Sequence, residues 1–499
     1  MDILLLRPHP GGEQFGLGPF FRVEPLGLEY VGAALLARGH RTTIADLRFR
    51  PSAAVWVRRA RPRLVGISCA HALEYDRVRE TAAEVRRTSP GAFILAGGHA
   101  AAVHPGPLMC DEIDAICLDD GEETAAAVAD ALEGKREIAR IPGLLLRTGD
   151  GWAATPPVSE RVSLDRAGLP ARDLVTRHRN GYYCLLFKPV WLIETTRGCP
   201  YRCSFCSVWQ LYDRTFRERS IGNVAEDFAA AGDSIFVADD LFWHPPERSI
   251  ELANALRRRG VVKRWILVQT RADIIRRNAA VLEAWRPLAR DFDIFLGLEA
   301  ASDAGLTRLD KDAGIAESVE AVRIARSMRY GVNGNFLVDP EWTEHDFLEL
   351  WDFVALHGLQ RAGYTILTPL PGTELFRQLT PRLRGNSWDR YDMHHVLWEP
   401  RLGIDRFFEL YAETWRRSIL NTSGEKSWKD WMRQVRLTQI PYLTRVLLRT
   451  QKIMDAGSYI KDHRTSPCAA PGRTPRREGT TRVPGQATDP SSTADRPER

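Results

Sequence analysis

The stretch Glu194-Thr195-Thr196-Arg197-Gly198-Cys199-Pro200-Tyr201-Arg202-Cys203-Ser204-Phe205-Cys206 restricts this chain more than any other. It follows the apolar run Val190–Ile193, which reads as a short buried strand. Gly198 and Pro200 then break that strand into a loop. Three thiolates on one loop suit three corners of a [4Fe–4S] cube, because cubane irons take cysteine sulfur. The fourth iron is left without a protein ligand, as a cluster that binds a substrate or cofactor directly requires. Phe205, just before the last cysteine, is placed to shield the metal from water. A structural zinc site wants four ligands, and no second Cys/His pair follows nearby; His244 stands alone. Disulfides do not suit a chain that opens without a secretory signal.

Length and composition bound the rest. A chain of 499 residues predicts several domains, and 44% hydrophobic content suits a globular enzyme with a sizeable core. A net charge of +5 is too small to argue for nucleic acid. No run of about 18 apolar residues exists to span a membrane. Met1-Asp2-Ile3-Leu4-Leu5-Leu6-Arg7 lacks a basic n-region and a long apolar core, so it reads as a first strand. Five scattered cysteines besides the loop fit a reducing cytoplasm.

Strand and helix alternate from the start. Strands are predicted at Ile3–Leu6, Thr42–Leu47, Leu64–Cys69, Phe93–Ala96 and Ile113–Cys117. Helices are predicted at Leu26–Arg38, near Tyr75–Arg87, and through Leu132. The pattern predicts an α/β fold with a doubly wound parallel sheet over residues 1–140, binding ligands at the carboxyl ends of its strands. Ser68 ends one strand and Gly97-Gly98 another, where glycine lets the backbone approach a ligand. By itself Gly97-Gly98 reads equally as a tight turn. Prolines punctuate residues 141–185, which read as a linker. Residues 186–385 repeat strand then helix six times, predicting a partial (β/α)6 barrel. Its strand ends carry Asp239-Asp240, Arg271, Glu299 and Asp339, with Asn335 just inside one of them. Polar groups at such ends surround ligands in parallel barrels; each is equally able to form a structural ion pair.

The C-x3-C-x2-C motif with its aromatic resembles the signature of the radical SAM superfamily. The resemblance implies that the open iron chelates S-adenosylmethionine, which the reduced cluster cleaves to a 5′-deoxyadenosyl radical. A doubly wound domain directly ahead of such a core, with Gly97-Gly98-His99 and Asp120-Gly121-Glu122-Glu123, resembles the cobalamin-binding domain of the B12-dependent radical SAM class. Residues 1–150 lack Asp-x-His-x-x-Gly, as in that class, where no histidine ligates cobalt from below. The resemblance assigns Ser68, Gly97, Gly98, Gly121 and Glu122 to cobalamin. It assigns Asp239 and Asp240 to the S-adenosylmethionine amino group and Glu299 to its ribose. Arg271 is assigned to its carboxylate or to the substrate, and Asn335 to the same cofactor site. Val23–Glu29, Gln269–Asp273, Phe295–Glu299 and Thr368–Thr373 resemble the hopanoid C-3 methylase group most.

Methylation of an unactivated carbon, with the methyl coming from methylcobalamin, is the implied reaction. A hopanoid or other triterpenoid is the expected substrate. The alternatives are a methylase of a natural-product scaffold and an oxidative cyclase. The resemblance also implies a reducing partner such as flavodoxin or ferredoxin.

Residues 386–462 are expected to be helical and aromatic-rich, capping the open barrel. They hold His394-His395, in a segment that resembles one in the hopanoid C-3 methylases. From Lys426 to Arg464 basic residues outnumber acidic ones, and Trp428, Trp431, Val435, Leu443 and Leu447 recur at helical spacing. That pattern suits a helix lying on an anionic membrane, or a solvated basic face on a packed one. Residues 463–499, rich in Pro, Gly, Ser, Thr and Arg, are expected to be disordered. The expected location is cytoplasmic, with peripheral membrane contact.

Overall fold

The computed structural model describes residues 1–9, 20–359, 362–383, 388–419 and 440–465. Ile3, Leu4, Leu5 and Leu6 are all buried. A strand apolar on both faces must be covered on both, so it takes the centre of a parallel sheet. The five parallel strands run Arg41–Asp46, Asp2–Arg7, Leu64–Ser68, Phe93–Gly97, Ala115–Cys117 across the sheet. In chain order this is 2-1-3-4-5. The order reverses between Asp2–Arg7 and Leu64–Ser68, and a ligand crevice opens at such a reversal.

The first sheet extends further than the sequence pattern suggests. Leu144–Thr148 and Gly151–Ala154 form a hairpin that pairs antiparallel with Ala115–Cys117. Residues from 141 on therefore complete the first domain before any linker begins. Leu144 and Leu145 are buried, but five alternating residues around Gly149 and Gly151 are too few to stand out from loop sequence.

A second sheet of six parallel strands runs Trp191–Ile193, Ser234–Val237, Lys263–Arg271, Ala289–Glu299, Gly331–Val338, Gly363–Ile366 in chain order. Alternation sets its two faces. Ile266, Val268, Ile294 and Leu296 pack outward with the helices, and Phe336 meets Phe353 at 6.0 Å. Gln269, Arg271, Gly297, Glu299, Asn335 and Leu337 take the opposite face, which lines the half-barrel's lumen. Aromatic rings fill its floor. Phe187 stacks on Trp265 at 4.0 Å, and Phe21 meets Phe295 at 5.9 Å. The open space lies at the carboxyl ends.

Helix Ile404–Ile419 covers the last strand. The Tyr411 hydroxyl donates to the Tyr364 carbonyl at 3.1 Å, and Trp415 packs edge-on to the Tyr364 ring at 5.4 Å. That much agrees with an aromatic cap on the barrel. The segment before it departs from a helical cap: beyond a short 3-10 turn at Trp388–Arg390, residues 391–403 are turns. Tyr391 and Trp398 enter the first domain's core, where Trp388 packs on Tyr75 at 4.7 Å. Helix Ala456–Thr465 runs past the boundary at 463, and the expected disorder from 466 onward lies outside the described residues. So do residues 420–439, which include the first part of the basic segment, 426–439.

The two sheets meet with their carboxyl ends facing. Glu24 reaches across lower down, accepting from the Leu192 amide at 2.6 Å, from Arg172 at 2.7 Å, and from Arg179. Arg172 also bonds Asp227 at 2.8 Å.

Candidate active site

The cysteine loop begins where Trp191–Ile193 ends. Gly198 has φ 98°, and a side chain there would strike the Thr215 carbonyl, so only glycine fits. Its amide donates to Asp240 Oδ2 at 3.0 Å. The loop is pinned further along by Trp209 Nε1 to the Cys203 carbonyl at 3.0 Å, and by Ser204 Oγ to the Leu309 carbonyl at 3.1 Å.

Cys199, Cys203 and Cys206 are unbridged and half-buried, and so is Phe205. Their Sγ atoms do not all lie within 4.8 Å of one another. Tetrahedral zinc, with bonds of ~2.3 Å, would draw its sulfurs to about 3.8 Å apart. Three separated thiols fit the corners of a cube instead. Burial pushes the Cys199 thiol up to about 11 and Cys206 up to about 12. Bound metal would reverse this, because a coordinating thiol is deprotonated.

Arg271 stands beside this loop. Its Nε donates to Asp273 at 2.9 Å and one Nη to the Asp312 carbonyl at 2.9 Å. The other Nη lies 3.8 Å from Cys203 Sγ. The guanidinium stacks 3.7 Å over the Tyr201 ring, whose hydroxyl donates to Asp273 at 2.8 Å. Arg271 therefore braces the cysteine loop through Asp273, Asp312 and Tyr201.

Asp239 is held by protein neighbours as well. It is 1% exposed and accepts from the Thr195 amide at 2.6 Å and from the Thr195 and Thr196 hydroxyls at 2.5 and 2.8 Å. Burial pushes its carboxyl up to about 7 against the pull of those donors. It shapes the strand-to-loop turn. Asp240 opens to the cleft, with protein packed close around it that pushes its carboxyl up to about 6.

Glu299 sits at a register shift with φ 67°, an uncommon backbone for a residue with a side chain. Its carboxylate accepts from Lys311 Nζ at 3.0 Å, and the same ammonium donates to the Gly297 carbonyl at 2.8 Å. Asn335 is half-buried on the lumen face. Asp240, Glu299 and Asn335 thus present acceptors around one opening, a donor set that fits an ammonium and a diol.

Across the cleft, Gly98 has φ 110°, and a Cβ there would lie 2.7 Å from the Cys69 carbonyl. This close approach lays the loops after Ser68 and Gly97 flat against each other, with those two residues paired in register. This floor starts at Ser68, beside the strand-order reversal, and extends to Gly97-Gly98 on the next strand, at the carboxyl ends where such sheets take ligands. The nearby histidines have protein partners: His71 accepts from the Leu73 amide at 3.4 Å, and His99 Nε2 lies 2.7 Å from Ser207 Oγ. Burial lowers His99 to about 4, so its ring is neutral.

Gly121 and Glu122 do not lie on that floor. Glu122 accepts from Arg197 at 2.9 Å and Asp120 from the same guanidinium at 2.7 Å. A Cβ added at Gly121 would lie 3.1 Å from a Val31 methyl. The carboxylates of Asp120 and Glu122 are thus held by the cysteine loop's own base, Arg197. The sequence marked Arg197 only as a neighbour of Gly198 and Cys199; nothing local disclosed partners 75 and 77 residues away.

A cavity of about 260 Å³ lies beside the loop, bordered by Ser204, Leu309, Leu337, Asp339, Leu367 and Trp398. Its walls carry more apolar than polar surface, and Arg308, Asp339, Glu341, Asp346, Glu349 and Arg382 also line it, with Asp339 at a strand end. His394 and His395 lie elsewhere, buried under helix Ile404–Ile419: His394 faces the Tyr411 hydroxyl at 2.8 Å.

Residues 19–129 match the B12 binding domain and residues 193–354 the radical SAM superfamily. The chain is 31% identical over 404 residues to the hopanoid C-3 methylase of Methylococcus capsulatus, spanning 79% of this chain and 76% of that protein. It is 26% identical over 437 residues to an anaerobic magnesium-protoporphyrin IX monomethyl ester cyclase of Synechocystis, 80% and 81% of the two chains. Among solved structures, the radical S-adenosylmethionine methyltransferase TsrM from Kitasatospora setae, with cobalamin and a [4Fe–4S] cluster bound, superposes with a TM-score of 0.61. The identity is 19%, over 76% of this chain and 75% of that one.

Proposed function

The chain belongs to the cobalamin-binding radical SAM enzymes, and from that premise we propose that this methyltransferase alkylates an unactivated carbon of a hopanoid or related triterpenoid. The observation that carries the substrate class is the 31% identity to a hopanoid C-3 methylase over most of both chains. A cavity beside the cysteine loop with more apolar than polar wall suits a hydrocarbon substrate.

When bound, the cluster, S-adenosylmethionine and cobalamin supply a carbon radical able to take hydrogen from an unactivated carbon, and a transferable methyl group. The chain's own groups bind and orient. Cys199, Cys203 and Cys206 hold three irons, with Phe205 as cover. Arg271 sets positive charge beside Cys203 and locks the loop through Tyr201 and Asp273. Asp240 takes the S-adenosylmethionine ammonium, Glu299 its ribose hydroxyls, and Asn335 a further polar atom of it. Ser68, Gly97 and Gly98 form the floor for cobalamin. Leu309, Leu337 and Leu367 exclude water from the space beside the cluster, where a radical would otherwise be quenched. Asp339 meets the polar end of the substrate.

The test is anaerobic reconstitution with S-adenosylmethionine carrying a labelled methyl group, offered a pentacyclic triterpenoid and analysed by mass spectrometry. The expected product gains the label. A product altered without the label would instead support the cyclase chemistry named for the Synechocystis relative. No methylated triterpenoid from active protein would move the substrate to a water-soluble scaffold. Electron delivery by a flavodoxin or ferredoxin, and peripheral contact with a membrane, belong to the same proposal.

A further inference from the structure

Arg197 lies two residues before the first cluster cysteine, on the short strand Thr196–Arg197. One Nη donates to Asp120 Oδ1 at 2.7 Å and the other to Glu122 Oε1 at 2.9 Å. Its Nε and second Nη also reach Glu194 at 3.0 and 2.8 Å. Arg217, on the strand paired with Thr196–Arg197, takes the remaining Asp120 oxygen at 2.7 Å. All of these side chains are largely withdrawn from water; Arg197 is 12% exposed. Asp120 and Glu122 flank the start of helix Gly121–Leu132, which follows the last parallel strand of the cobalamin-binding domain.

We propose that Arg197 is a positioning residue that fixes the cluster loop against the cobalamin-binding domain, so that hydrogen abstraction and methyl delivery meet at one carbon. The proposal rests on the cofactor reading above. The shape of the guanidinium is the argument. Its planar fork spans carboxylates from two domains, fixing direction as well as distance, whereas an ammonium is a point charge that meets one partner at a time. The domains do not depend on Arg197 for cohesion, since Glu24 with Arg172 and Arg179, and the shared apolar core, hold them elsewhere. Changing it should shift the loop, not part the domains. A shift of about 1 Å in a positioned group is enough to cost on the order of a hundredfold in rate.

The experiment compares reconstituted wild type, Arg197→Lys and Glu122→Gln. Glu122→Gln takes the charge from one arm, keeping an acceptor, without altering a residue of the cysteine loop, and it keeps the test alive if Arg197→Lys folds poorly. Iron per chain and S-adenosylmethionine cleavage should stay within about twofold of wild type, while methyl product per 5′-deoxyadenosine falls about tenfold. The magnetic interaction between the reduced cluster and cob(II)alamin, read by electron paramagnetic resonance, should change in both variants. An unchanged product ratio and spectrum would overturn the proposal. So would a parallel loss of iron, cleavage and methylation, which would make Arg197 a scaffold of its own loop. Wild type that neither holds iron nor cleaves S-adenosylmethionine would overturn the underlying reading as well.

Discussion

His99 Nε2 lies 2.7 Å from Ser207 Oγ. His99 follows the Gly97-Gly98 strand end of the cobalamin-binding domain, and Ser207 follows Cys206 of the cysteine loop. One hydrogen bond thus ties the two candidate cofactor sites edge to edge. With the neutral imidazole of a ring lowered to about 4, the bond persists across the physiological range. It also occupies the histidine nearest the cobalamin floor.

Replacing Cys199, Cys203 or Cys206 with Ala should abolish S-adenosylmethionine cleavage and reduce iron to a small residue. Replacing Cys69, Cys110, Cys117 or Cys184 should leave iron unchanged, because Cys69, Cys117 and Cys184 are buried in cores away from the loop. About four irons retained in the triple Cys→Ala variant would refute the ligand assignment.

The cob(II)alamin form should show no nitrogen superhyperfine splitting from a lower ligand. His71 caps its own turn and His99 bonds Ser207. A clear histidine nitrogen signature in the wild type, lost in His71→Gln or His99→Gln, would contradict this.

Glu24→Ala should cost about 3–5 kcal/mol of stability, measured by chemical denaturation, because at a buried boundary it takes the carboxylate from Arg179, one of those around Arg172, and the acceptor of the Leu192 amide. Glu24→Gln, which keeps an acceptor for the Leu192 amide, should cost less.

The C-terminal cap should loosen with alkali. Burial works against the His395 charge, but Asp392 at 3.0 Å and Asp462 at 2.9 Å outweigh it and raise the ring to about 9. A histidine raised above its unfolded value of about 6.5 contributes stability that is full below that pH and is lost as pH climbs through about 9. The protection factors of helix Ala456–Thr465, amide exchange corrected for its intrinsic pH dependence, should fall between about pH 6.5 and 9 in wild type and be flat across that window in His395→Gln. Equal pH dependence in the two proteins would dismiss the pair as its source.

Full-length protein should co-sediment with anionic liposomes at low salt and release at high salt. Each basic residue at such a surface contributes on the order of 1 kcal/mol. Ile440 and Leu448 are exposed at 48% and 60% on helix Ile440–Ile453, apolar surface that a bilayer would cover. Removing residues 426–499 should weaken binding more than removing 465–499. Indifference to liposomes at low salt would argue for a water-soluble substrate.

Much of the architecture was legible in the chain. The five parallel strands of the first sheet and the six of the second follow from apolar runs ended by Gly, Asp or Arg, because a strand covered on both faces must be apolar throughout. The cysteine triad was legible because its ligands lie within one loop. The hairpin at Leu144–Ala154 was not, since a short edge strand with one wet face carries little pattern. The entry of Trp388, Tyr391 and Trp398 into the first domain's core was not legible either. An aromatic residue records that it will be buried, but not which of two cores will bury it.

The side chains at the strand ends divide in the same way. Sequence marked Asp239, Asp240, Arg271 and Glu299 as polar groups at carboxyl ends, and each is there. Which of them is free to meet a ligand depended largely on neighbours brought by distant segments: Thr195 and Thr196 for Asp239, Asp312 for Arg271, Arg197 for Glu122. Periodicity and local spacing encode the elements and the loop that holds metal, because those interactions close within a few residues. Charge pairing across two domains is decided only when the folded chain removes the groups from water and leaves each one the partners that happen to be within reach.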